Sequence, residues 1–229
     1  MDRLFPLRAA LASMVLAALL ISVPASSQEA VPAAAPEAGP VAPQAPPPRV
    51  SLQTSMGQIV LELNRERAPL TVANFLRYVT EKHFDNTVIY RVVPRFVIQG
   101  GSVGMNGNGK PVHDPIPLEA NNGLSNLRGT ITMARSSDPA SATAEFFINL
   151  VDNTGLDQMM GDTSNQTGYA VFGRVAQGME VVDLITTLPL GGGYGPFGTN
   201  APLIPVIIRS ATILDPAAPP AAPAPAPAP

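Results

Sequence analysis

The stretch VIYRVVPRFVIQGG, residues 88–101, decides how this chain is read. It is almost wholly apolar, as a strand that packs on a core should be, yet it carries Arg91, Arg95 and Gln99. Strands of this kind usually face a core. A cation within such a strand faces either solvent or a site that needs a fixed charge.

Working outward, the rest of the central region is also mostly β. The run VSLQTSMGQIVLELN alternates, turns near Met56 and Gly57, and alternates again, which predicts a hairpin. TVIYRVV, FVIQG, GTITMA, EFFINL, YAVFGRV and LIPVIIRSATIL read as further strands. Two segments break the pattern. In APLTVANFLRYVTEK, Val72, Phe75, Leu76 and Val79 fall on one helical face, with Pro69 in the first turn. In GMEVVDLITT, Val181, Val182 and Ile185 cluster similarly. Many short strands with Gly-rich turns and two helices predict a mainly β fold, a closed antiparallel barrel or a sandwich.

The ends of the chain differ in kind. Arg3 and Arg8 precede an apolar run over residues 9–23 and then small residues. That is the layout of a secretory signal peptide over residues 1–27, cleaved after Ala25 or Ser27. The run is short for a spanning helix, which needs about 20 residues. An uncleaved inner-membrane anchor is the minority reading, and no stable membrane insertion is expected after cleavage. Residues 28–49 form a Pro/Ala-rich linker and residues 216–229 contain only Pro and Ala; these ends hold more than half of the 26 prolines. Alanine and proline offer too little apolar area to offset ordering, so both segments are expected to be extended tethers. The folded domain is expected over residues 50–215.

Composition excludes several chemistries. The 229 residues carry a net charge of −3, without the basic footprint of a nucleic-acid binder. Without cysteine there can be no disulfide or thiolate metal site. Only two histidines exist, His83 at a helix end and His113 in a Pro-rich loop; both read as surface residues, and no metal site is expected. GGSVG, residues 100–104, has the G-x-S-x-G spacing of a hydrolase nucleophile elbow. That motif needs a helix after the serine and a later acid and histidine. Here MNGNGKP follows, with no acid between Ser102 and His113. NGNGK lacks the spacing of a phosphate-binding loop.

Arg91 remains. Arg91, Phe96, Val97 and Gln99, with MARSS and EFFINL from later strands, would put aliphatic and aromatic surface beside one fixed cation. Such a cleft suits an apolar ring with a polar backbone attached. The blocks YRVVPRFVIQGG, GTITMARSSDPASATAEFFINL, GLD and GYAVFGRV, in that order, resemble the cyclophilin-type peptidyl-prolyl isomerases, in the style of the periplasmic enzymes of Gram-negative bacteria. The resemblance covers nearly all of residues 50–214. It implies a closed eight-stranded antiparallel barrel capped by two α-helices, with no cofactor or metal. It implies catalysis of X–Pro rotation in proline-containing polypeptides, here unfolded or partly folded exported proteins in the periplasm. The less active alternative is a proline-segment binding module or envelope chaperone. A monomer is expected.

By position, the resemblance implies that Arg91 is the catalytic arginine. It implies substrate-binding places for Phe96, Val97, Gln99, Met133, Ala134, Arg135, Glu145, Phe147, Leu156 and Tyr169. Four departures stand out. Glu145 occupies a place where glutamine is common, and is expected to pair with Arg91 or Arg135 or to favour cationic peptides. Val97 replaces methionine. Tyr90 replaces the histidine before the arginine, a change expected to matter little. Gly155 replaces a rim aromatic residue, which implies weak binding of the macrocycle cyclosporin.

Overall fold

Residues 88–101 lie in two antiparallel strands, the third and fourth of a barrel, joined by a turn at Pro94 and Arg95. The computed structural model describes residues 46–158, 167–191 and 198–214. The signal-peptide segment, all but the end of the linker, and the Pro/Ala tail lie outside the described residues. In chain order the strands are β1 (Arg49–Thr54), β2 (Gly57–Leu63), β3 (Thr87–Val93), β4 (Val97–Gly104), β5 (Thr130–Met133), β6 (Phe146–Asn149), β7 (Val171–Gln177) and β8 (Val206–Leu214). The helices are α1 (Pro69–Thr80) and α2 (Met179–Thr186). The strands close in the order β1-β2-β7-β5-β6-β4-β3-β8, every neighbouring pair antiparallel. Closure leaves no open sheet edge, and it selects the barrel over the sandwich. β1 begins at Arg49, one residue before the expected domain start.

Inward residues of the strands fill the barrel: Leu52, Ile59, Leu61, Ile98, Ile131, Ile148 and Ile208 are all essentially without solvent contact. α1 contributes Phe75, whose ring lies 4.9 Å from Phe84, 5.2 Å from Phe172 and 5.7 Å from Phe146, centre to centre. Its apolar stripe is the one its spacing predicts: Val72, Phe75 and Val79 are buried and Leu76 packs at the margin. Pro69 removes one orphan N–H from the first turn. Glu119, from a distant loop, takes the N–H groups of Leu70 (3.1 Å) and Thr71 (2.8 Å). A carboxylate at this end also complements the helix dipole. α2 buries Val182 and Ile185. Its N-cap Gly178 has φ +87°, and a Cβ there would sit 2.2 Å from the carbonyl oxygen of Gln58. Only glycine fits there.

GGSVG is strand rather than elbow, as the loop that follows it in the sequence implies: residues 100–104 close β4. One sequence expectation changes. The histidines are not bland surface residues. Both are half-buried and flank the Tyr78 ring, His83 at 4.6 Å and His113 at 5.1 Å between centres.

Candidate active site

The answer to Arg91 lies in a break of register. Ile89 pairs with Gly100, but Arg91 pairs with Gln99, so β3 advances two residues while β4 advances one. This is a β-bulge, which re-aims side chains. Ile89 and Val92 point into the barrel core, and between them Tyr90 and Arg91 both face outward. Directly paired residues share a face. Arg91, Gln99 and Phe147 therefore form one row on the outer wall, across β3, β4 and β6.

Around this row lies a groove of about 250 Å³, lined by Arg91, Phe96, Val97, Gln99, Ala134, Arg135, Phe147, Leu156 and Tyr169. Its floor is a small apolar cluster separate from the barrel core: Val97, Ala134 and Phe147 are buried, with Phe96, Leu156 and Tyr169 at its edge. Phe147 and Tyr169 meet edge to face at 5.7 Å. Arg91 donates from Nη1 to Gln99 Oε1 at 2.9 Å, and its guanidinium carbon lies 5.9 Å from the centre of the Phe96 ring. Arg135 lies over Tyr169 at 4.8 Å and donates from Nε to the Gly168 carbonyl at 3.0 Å. The groove is thus an apolar floor with a held guanidinium at each of two places on its wall.

The family model described as "Cyclophilin type peptidyl-prolyl cis-trans isomerase/CLD" matches residues 49–213. The chain belongs to this family. Over 165 residues it is 49% identical to a peptidyl-prolyl cis-trans isomerase of Streptomyces antibioticus, covering 72% of this chain and 98% of that one. It is 45% identical to peptidyl-prolyl cis-trans isomerase A of Dickeya dadantii, covering 72% of this chain and 84% of that one. Isomerase B of Escherichia coli is 43% identical, covering 72% and 98%. Among solved structures, a cyclophilin-type isomerase of Cryptosporidium parvum has the same fold, with a TM-score of 0.62 at 22% identity, covering 73% of this chain and 98% of that one.

Two residues assigned to the cyclophilin groove from the sequence do not line it. Met133 is 2% exposed and belongs to the barrel core, because β5 turns it inward opposite Phe146. The Glu145 carboxylate is held by Tyr90 and Ser102. Its Oε2 accepts from the Tyr90 hydroxyl at 2.8 Å, and its Oε1 accepts from the Ser102 N–H at 2.9 Å and from the Ser102 hydroxyl. Engaged in this way behind the groove wall, it is poorly placed to select cationic peptides.

Sequence reading also missed what holds the groove's far side. Asp157 accepts from Asn126 N–H and Asn126 Nδ2, each at 2.7 Å, and from the Ser125 hydroxyl. Asn126 in turn accepts from Thr132 Oγ1 at 2.8 Å, and Asn153 Nδ2 donates to the Phe96 carbonyl at 2.9 Å. This network anchors the 3-10 turn Thr154–Leu156 and ties it to the loop that presents Phe96. The only signal in the sequence was the acid after Leu156 in GLD. Among the described residues no group of three metal-ligating side chains converges.

Proposed function

We propose that the groove takes the pyrrolidine ring of an X–Pro segment and that Arg91 stabilises the twisted amide. The observation that carries this is the Arg91 guanidinium, oriented by Gln99, on the wall of an otherwise apolar groove. The groove's volume, about 250 Å³, is below the ~300–1,000 Å³ typical of pockets that engulf drug-sized ligands. That suits one ring with its backbone left outside.

Amide resonance makes rotation cost about 18–20 kcal/mol. At the twisted state resonance is lost and the proline nitrogen holds a lone pair. A hydrogen bond from Arg91 to that nitrogen exists only in the twisted state, and such differential binding is what accelerates a reaction. Arginine suits the task because it stays charged and carries its five donors in one rigid plane. Phe96, Val97, Phe147 and Leu156 hold the ring while the acyl side turns. No bond is made or broken, so the step needs no proton, metal or nucleotide. Exchange of an X–Pro peptide, followed by NMR with the full chain, tests this. The full chain should speed exchange at micromolar concentration, and exchange at the uncatalysed rate would end the reading.

We further propose that the clients are exported proteins in the periplasm. Support comes from the layout of residues 1–27, basic then apolar then small. N-terminal sequencing of the protein from fractionated cells should find a mature start at Ser26 or Gln28 in the periplasmic fraction. An intact Met1 in the cytosol would contradict it.

A further inference from the structure

The outer wall of β3 and β4 carries a line of polar contacts that leads away from the groove. Arg91 Nη1 donates to Gln99 Oε1 at 2.9 Å. Gln99 Nε2 donates to the Tyr90 hydroxyl at 2.8 Å. That hydroxyl donates to Glu145 Oε2 at 2.8 Å, and Ser102 fills the other carboxylate oxygen. Tyr90 is 3% exposed, packed with Val88 and Val103, so its hydroxyl has protein rather than bulk water around it. Burial, and then the Glu145 charge, push its pKa well above the ordinary value of 10. It therefore remains a donor at working pH.

The chemistry of each link leaves the next one choice. An ionised carboxylate only accepts, so Tyr90 must give it its single proton. The Tyr90 oxygen then offers only acceptor positions, and only the NH₂ end of Gln99 can meet it. The carbonyl end of Gln99 must therefore face Arg91, which has donors alone. Donation runs one way from guanidinium to carboxylate, the arrangement in which successive hydrogen bonds polarise each other.

Resting on the reading of Arg91 as the donor to the twisted amide, we propose that Tyr90 and Glu145 are positioning residues. Through Gln99 they fix the plane of the Arg91 guanidinium. The β3 bulge is what allows it, by putting the adjacent residues Tyr90 and Arg91 on the same face and in reach of one glutamine. Gly101 allows the far end. Its φ is +152°, and a Cβ there would lie 2.5 Å from the Ala144 carbonyl oxygen. Any side chain would push β4 away from Glu145 and break the Ser102 contacts. A glutamine at 145 would have the same shape but both donor and acceptor ends. It would permit the reversed chain, in which Gln99 presents its NH₂ to Arg91, donor against donor.

The test uses the full chain and two readouts. One is kcat and KM on an X–Pro peptide. The other is rotation of the Arg91 guanidinium about Nε–Cζ, followed by ¹⁵N NMR, which needs no turnover. Tyr90→Phe and Glu145→Gln should each speed that rotation and lower kcat about ten- to a hundredfold, with KM little changed. In a Gln99→Ala background, Tyr90→Phe should cost nothing more, which a purely structural role would not predict. If Tyr90→Phe fails to fold, Glu145→Gln, equal in shape, carries the test. Unchanged guanidinium rotation in Glu145→Gln, or a Tyr90→Phe loss that persists without Gln99, overturns the proposal. A wild type without turnover defeats the isomerase reading instead, and the rotation measurement still decides the relay.

Discussion

Arg91 and Gln99 are direct partners across β3 and β4, and the guanidinium donates to the amide oxygen at 2.9 Å. An arginine side chain ordinarily samples many rotamers, and ordering it costs up to about 2 kcal/mol. Here that cost is met in the folded protein, before any substrate arrives. On the mechanism proposed above, the groove would meet a twisting amide with its donor already placed, the condition under which electrostatic stabilisation is largest.

Gly155 should make the protein a poor cyclosporin binder. It is exposed at the groove rim beside Leu156, and a Cβ there would meet nothing within 4 Å. Nor is it among the glycines with positive φ, so a larger residue brings no backbone strain. Gly155→Trp should tighten cyclosporin about tenfold or more, adding an apolar wall and an N–H donor worth roughly 1–3 kcal/mol. Its kcat/KM on short peptides should change little, since the proposed site for the ring lies deeper, against Phe96, Phe147 and Leu156. Tight cyclosporin binding by the unaltered protein, measured by calorimetry, would refute this account of the rim.

Charge near the proline should matter. Among the described residues that line the groove, the charged ones are Arg91 and Arg135; Glu145 faces the other way. Peptides with glutamate before proline should therefore be turned over about three- to tenfold better than those with lysine, at low salt. The preference should shrink at 0.5 M salt, where screening reaches only a few ångströms. Arg135→Gln should halve the discrimination or more. Equal kcat/KM for both peptides at low salt would speak against it.

Acid stability should track His83. Burial, then the nearby Lys110 charge and that of His113, lower its pKa from 6.5 to about 4, against a small upward pull from Glu81. A histidine that binds its proton less well when folded stabilises the fold fully above pH 6.5. That contribution is lost as pH falls from 6.5 towards 4. Glu81 is also lowered, first by the His113 hydrogen bond and then by Arg77, so its contribution fades below its ordinary 4.5. The Tm of the wild type should thus fall between pH 6.5 and 4. His83→Phe, which replaces a ring whose Nε2 is buried without a partner, should flatten that slope. An unchanged slope in the variant would mean that another group sets it.

Much of this was readable in the chain. TVIYRVV coincides with β3, and both helices fall where their apolar spacing puts them. These signals are local, a period of two or of 3.6 residues. What the sequence hid depends on partners far along the chain. The bulge that turns Tyr90 and Arg91 to the same face is a property of β3 paired with β4, not of β3 alone, so Tyr90 looked incidental. Glu145 looked like a groove residue because nothing local shows that Ser102 and Tyr90 would claim its carboxylate. Met133 lies one residue from the groove residue Ala134 but faces the core, and such alternation of facing along a strand is not visible without its register.

Arg95 is another such case. It sits in the Pro94–Arg95 turn, closed by Phe96 N–H to the Val93 carbonyl at 3.0 Å, with φ +60°. This region costs an L-residue about 1–2 kcal/mol, partly offset for glycine by its greater freedom when unfolded. Arg95→Gly should raise stability by up to about 1 kcal/mol without moving Phe96. Destabilisation in a denaturant titration would indicate that the Arg95 side chain contributes contacts outweighing the strain.

The most direct measurement is kcat/KM of Arg91→Ala against wild type, full chain, on an X–Pro peptide, with Tm recorded alongside. Arg91 lies on the outer wall, so the fold and Tm should survive. If its donor stabilises the twisted amide, kcat/KM should fall about 10²–10³-fold. Arg91→Lys should recover little, because a flexible point charge cannot reproduce the held plane. Activity within about twofold of wild type for Arg91→Ala, on several peptides, would contradict the mechanism.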